Sequence, residues 1–94
     1  MTSSNSAAPA WAADADDHLD TSGLRCPEPL MLLRNRVRSL DAGARLHVTA
    51  TDPASVRDFE QFCRMLGHSI EARTEAAERF DFLIEKGGGR GGPQ

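Results

Sequence analysis

Cysteine is scarce: Cys26 and Cys63 are the only two, and they stand far apart in the chain. That is too few for a disulfide framework. Metal ligation would need further Cys or His at close spacing, and His18, His47 and His68 are scattered, so no metal site is expected. An excess of basic charge is also missing. The net charge of -3 at pH 7 argues against nucleic-acid binding through bulk charge. No stretch approaches the roughly 20 apolar residues of a membrane span, and no basic segment followed by an apolar run opens the sequence. The expectation is a cytoplasmic protein with reduced thiols, no membrane partner and no strong direct contact with nucleic acid.

Periodicity is absent at both ends. Residues 1–17 are rich in Ala, Ser and Asp with a single Trp11, and residues 87–94 are mostly glycine. Both read as disordered tails, with Trp11 exposed. One domain is expected over residues 18–86, small but large enough to fold without disulfides.

The most informative stretch is Gly23-Leu24-Arg25-Cys26-Pro27-Glu28-Pro29-Leu30, where an extended segment gives way to an amphipathic helix. Pro27 suits the first helical position, because its missing N–H costs nothing there, and this leaves Cys26 as the N-cap. Ser, Thr, Asp or Asn would cap better, so a cysteine points to chemistry. Unpaired N–H groups and the helix dipole favour a thiolate, and Arg25 adds a full positive charge. The thiol is therefore expected to ionise more readily than an ordinary cysteine. Pro29 stiffens the first turn and biases Glu28 away from helical angles.

Downstream, Leu30, Leu33, Val37 and Leu40 recur at helical spacing from Pro27 to about Leu40, with Gly43 suited to the left-handed position after the helix. Met31, Arg34 and Arg38 form a second stripe running toward the Cys26 turn, and no acid occurs between Glu28 and Asp41 to neutralise it. A solvated face is the common reading of such a run. A docking ridge for an acidic partner is the favoured one here. Arg45 to Thr51 alternates as a strand, with Leu46, Val48 and Ala50 on the helix side and His47 on the outer face, solvated or paired across the sheet.

Asp52-Pro53 starts a second helix, whose buried stripe is expected at Val56, Phe59, Cys63 and Leu66 before a stop at Gly67. Cys63 thus reads as a small core hydrophobe, with Phe62 and Met65 beside the stripe. Two last strands follow. Ile70 and Ala72 face inward on the first, Phe80, Phe82 and Ile84 on the second, with Ala76-Ala77-Glu78-Arg79 as the hairpin loop. The order β-α-β-α-β-β implies an α+β two-layer sandwich with two helices on one face of a four-stranded sheet. Strand order is not legible in the pattern.

The run Leu19-Asp20-Thr21-Ser22-Gly23-Leu24-Arg25-Cys26-Pro27-Glu28-Pro29 resembles the signature of the TusA sulfur-carrier family, with its Cys-Pro-x-Pro motif. The likeness continues through Thr51-Asp52-Pro53-Ala54, Phe62-Cys63 and Phe82 to Gly88. It implies a mixed sheet, similar to the C-terminal domain of a bacterial translation initiation factor. It also implies that Cys26 accepts persulfide sulfur from a cysteine desulfurase and passes it to a downstream acceptor protein. Asp52 would face the desulfurase, and Thr51 stands where the family often has a second acid. No cofactor is expected beyond the transient persulfide. The leading destination implied is the 2-thiouridine of wobble-position tRNA, with molybdenum-cofactor maturation and oxidation of reduced sulfur compounds as alternatives.

The residues themselves are compatible with that chemistry. Sulfur exchange depends on thiolate fraction, leaving group and access, and needs no separate acid or base. Arg25, Pro27, Glu28 and Pro29 would support the turn and its electrostatics, and Met31, Arg34 and Arg38 would meet partners. A cysteine hydrolase lacks its positioned base. A thioredoxin-like role lacks the second cysteine at the helix start. A ubiquitin-like carrier is a different class suggested by Gly87-Gly88-Gly89, but the chain ends in Pro93-Gln94. A regulatory or binding module in which Cys26 is incidental is the remaining rival.

Overall fold

The computed structural model describes residues 8–87, and the outer parts of both expected tails, residues 1–7 and 88–94, lie outside them. A 3-10 turn at Ala10–Asp14 comes first, followed by β1 (Asp17–Thr21), α1 (Glu28–Arg38), β2 (Arg45–Ala50), α2 (Ala54–Leu66), β3 (Ser69–Ala76) and β4 (Arg79–Glu85). The expected α+β two-layer sandwich is the one observed. The sheet order is β1-β2-β4-β3. β1 and β2 are parallel, while β4 runs antiparallel to both of its neighbours.

Leu46, Val48 and Ala50 of β2 and Phe82 and Ile84 of β4 point to the helix layer, where they meet Leu33 and Val37 of α1 and Phe59, Phe62 and Cys63 of α2. Phe59 and Phe82 pack edge-on, with ring centroids 5.2 Å apart. The buried stripe of α1 is as its spacing predicts. That of α2 is rotated: Phe62 is buried and Leu66 is 42 % exposed, the reverse of the expectation. Phe62 turns inward against the His68 ring, at 5.4 Å between centroids, and Leu66 is left on the groove between the helices.

A register shift between Ile70 and Ala72 corrects a second expectation. Ile70 pairs with Ile84 and faces the core, but Ala72 pairs with Leu83 on the outer face, and Arg73, opposite Phe82, reaches over the helix layer to Glu60. One extra residue in a strand sends everything after it to the other side. The hairpin closes tightly, with Ala76 paired to Arg79 and Glu78 taking the left-handed conformation at φ 60°.

Although His18, Asp20 and Thr74 on the edge strands are exposed, the middle of the outer face of the sheet is not solvated. His47, Thr49 and Asp81 are buried there. His47 Nε2 lies 2.8 Å from Asp81 Oδ1, Thr49 donates to the same oxygen at 2.8 Å, and Arg79 donates to the Asp81 carboxylate at 2.8 and 3.1 Å. Trp11 covers this network, its ring edge-on to His47 at 5.8 Å, and Ala12 is buried beside it. Order therefore begins before His18, because a polar patch in the middle of a sheet gives the Trp11 turn a surface to bury.

Candidate functional site

Parallel pairing of β1 with β2 brings the two strand-to-helix junctions side by side, with Thr21 opposite Ala50. The Cys26 loop is consequently held by the junction that follows β2. Thr51 Oγ1 accepts from the Gly23 N–H at 2.8 Å, at a residue whose φ of 82° suits glycine. Asp52 Oδ2 accepts from the Cys26 N–H at 2.8 Å, while Asp52 Oδ1 accepts from the Ala54 N–H at 3.2 Å in the first turn of α2. These bonds, with the Cys26 N–H leading, hold the Asp52 carboxyl below its ordinary pKa. Asp52 thus ties the loop to α2, a role that residue spacing did not announce.

Helix α1 begins one residue later than expected. Pro27 is its N-cap, at φ -99° and ψ 10°, so Cys26 lies just outside the helix and not at the cap. The peptide bond between Cys26 and Pro27 is cis. Arg25 and Pro27 offer carbonyls to the N–H groups of Glu28 and Met31, at 2.9 and 3.1 Å. Pro29 is fully buried and anchors the first turn, whereas Arg25, Pro27 and Glu28 are exposed.

The Cys26 side chain is exposed, and its thiol donates to Asp58 Oδ2 at 3.5 Å. Asp58 lies on α2, half-buried, and no feature of the sequence singled it out. Its position is legible only once α2 is known to pack beside the α1 start. The bond to Asp58 is the largest of several influences that raise the Cys26 pKa, followed by desolvation and the charges of Asp58 and Asp52. The expected ionised thiol is therefore corrected. Arg25, expected to stabilise a thiolate, instead lowers the pKa of Asp52, and the electrostatics at Sγ are dominated by carboxylates.

The expected docking stripe divides in two. Arg34 lines a groove of about 300 Å³ between the helices with Asp58, Phe62, Met65 and Leu66. The groove continues into a cavity of about 420 Å³ where Arg34 and Arg38 are joined by His68 and Lys86. Met31, 54 % exposed, sits on the other flank of α1 in a depression with Leu24, Glu28 and Leu32. Arg36, between the two arginines, is occupied elsewhere, donating to Asp17 at 3.0 Å and to the His18 carbonyl at 2.9 Å.

Cys63 is buried among core side chains, and burial pushes its thiol up to about 12, which leaves it unreactive near neutral pH. His47 is on the face of the sheet away from Cys26 and is no base for it. Among the described residues no group of three or more His, Cys, Asp or Glu could hold a metal, and no helix is long and apolar enough to cross a membrane.

An exposed thiol on a doubly anchored loop, in contact with an aspartate that lines the interhelical groove, has the access that sulfur exchange requires. Comparison with known proteins points the same way. Residues 17–86 match the family model described as Sulfurtransferase TusA. A protein named Sulfur carrier protein TusA from Allochromatium vinosum is 42 % identical over 74 residues, 79 % of this chain and 97 % of that protein. One of the same name from Pseudomonas putida is 48 % identical over 71 residues, 76 % of this chain and 89 % of the relative. With most of the described structure inside the matched span, the chain belongs to the TusA family.

Proposed function

We propose that this protein carries sulfur as a persulfide on Cys26. A cysteine desulfurase supplies the sulfur and a downstream relay protein removes it, which makes the chain a carrier-type sulfurtransferase. The Cys26 thiolate attacks the outer sulfur of the donor persulfide, a new S–S bond forms on Cys26 as the donor's breaks, and the donor cysteine leaves as thiolate. Delivery repeats the exchange in the opposite sense. There is no net oxidation, so no cofactor is needed.

The observation that carries this reading is the exposure of Cys26 on a loop fixed by Asp52 and Thr51, in a chain whose other cysteine is sealed in the core. The groove rimmed by Arg34 and Arg38 supplies the surface where donor and acceptor dock in turn. The relatives named as sulfur carriers support it. We assign the sulfur first to wobble 2-thiouridine of tRNA, with the protein working in the reducing cytoplasm. Incubation with a desulfurase and cysteine should add about 32 Da per sulfur to the Cys26 peptide, in the same manner as other protein persulfides. No added mass there would reject the carrier role. A strain lacking the gene should lose wobble 2-thiouridine, and retention of that base would redirect the sulfur to another acceptor.

A further inference from the structure

We propose that Asp58 is a positioning residue for sulfur transfer: its carboxylate holds the proton of the Cys26 thiol and aims Sγ along the interhelical groove, keeping the unpartnered carrier unreactive. The proposal rests on the reading of Cys26 as the sulfur acceptor. Three observations support it.

The first is contact. Sγ and Oδ2 are 3.5 Å apart across two elements separated by 32 residues, within the longer reach of a sulfur donor. The second is placement. Asp58 is half-buried and lines the same groove as Arg34, Phe62 and Met65, so the residue that the thiol touches also borders the groove. The third is that the charge of Asp58 is not cancelled. Among the described residues no cation is within ion-pair distance of it, although Arg36, Arg73 and Arg79 all have carboxylate partners.

The other charged groups around the thiol do not replace this effect. Asp52, at the β2–α2 junction, adds negative charge but spends both oxygens on backbone N–H groups. Arg25 on the loop acts on Asp52. Glu28 is one more acid at the α1 start, and Arg34 lines the groove without pairing to Asp58. The thiol consequently lies under the influence of two carboxylates, Asp58 and Asp52, and Asp58 is the one its side chain touches.

Removing that proton is the step that arms Cys26. When a partner cation neutralises Asp58, or the partner displaces it, the proton passes to solvent and the thiolate is free to attack the donor persulfide. The carrier would then be reactive only where sulfur is to be exchanged.

The test is the pH profile of alkylation of Cys26 by iodoacetamide in the full chain, read by mass on the Cys26 peptide so that buried Cys63 does not contribute. In Asp58→Asn the midpoint should move to lower pH and alkylation near neutrality should become severalfold faster, whereas Asp58→Glu should keep the profile of the unmodified protein. An unchanged profile in Asp58→Asn would overturn the proposal. Should that variant fail to fold, Asp58→Ala is read in the same assay, where a midpoint at lower pH supports the proposal and an unchanged midpoint is the contrary result. No sulfur donor enters this experiment, so its outcome is separate from whether Cys26 loads sulfur.

Discussion

The backbone N–H of Cys26 donates to the Asp52 carboxylate at 2.8 Å across 26 residues of sequence. This one bond couples the loop that carries the thiol to the start of α2, because the other oxygen of the same carboxylate holds Ala54. The loop and the first turn of α2 are thereby held by a single carboxylate.

Asp52→Ala should free the Cys26 loop while leaving the sheet intact. Amide exchange at Cys26 and Gly23 should accelerate more than exchange in β2, and equal protection in the variant would count against the link. Because the Asp52 pKa is lowered in the folded protein, its stabilising effect is present above the ordinary carboxylate pKa. It is lost as pH falls through the lower, folded value. Protection at Cys26 should thus fade in acid before the core opens.

The two cysteines should behave oppositely toward sulfur. Cys26→Ser should abolish loading without changing the thermal transition, since its side chain is exposed. Cys63→Ser should load normally but unfold more readily, by about 1–3 kcal/mol, for a hydroxyl placed in an apolar core. Denaturant titration together with mass measurement reads both properties in one preparation.

Asp81 is the structural acid of the molecule. Its side chain is 4 % exposed; burial works to raise its pKa, but hydrogen bonds from Arg79, His47 and Thr49 outweigh burial and hold it below the ordinary value. Asp81→Ala leaves His47 and Arg79 without their acceptor and should cost about 3 kcal/mol, the scale of breaking one side of a buried pair. In the unmodified protein this contribution is fully present above the unfolded carboxylate pKa of about 4 and disappears as acid carries the pH through the lower folded value. Urea midpoints across that range check the sign.

Charge reversal at Arg34 and Arg38 should weaken binding of an acidic partner, more at low salt than at high salt. Reversal at Arg36 is the contrast. Arg36 pairs with Asp17 at 3.0 Å, half exposed, so its loss should disturb the α1–β1 contact by no more than about 1 kcal/mol. Equal effects of all three on partner affinity would return the groove to the status of a solvated face.

How much was legible beforehand differs from element to element. Leu30, Leu33 and Val37 announced the buried face of α1, and Leu46, Val48 and Ala50 that of β2, because each repeats at the period of its own element. Ala72 was misplaced because the bulge before it shows no local signature, and alternation simply continues through it in the sequence. Leu66 and Phe62 exchanged places because both lie within about one turn of the stripe, where spacing alone does not separate them, and it is Phe62 that packs on the His68 ring. Trp11 looked like a tail residue because the buried His47 and Asp81 that it covers are far away in sequence.

The thiol shows the division most clearly. That a cysteine stands exposed where a strand gives way to a proline-started helix is written in the order of the residues, since helix starts, turns and apolar periods act over a few neighbours. That its proton is held by Asp58 and its backbone by Asp52 was decided when β1 paired with β2 in parallel and set α2 beside α1. Coulomb attraction and hydrogen bonding depend on distance through space, and the order of residues along a chain specifies that distance only after the chain has folded.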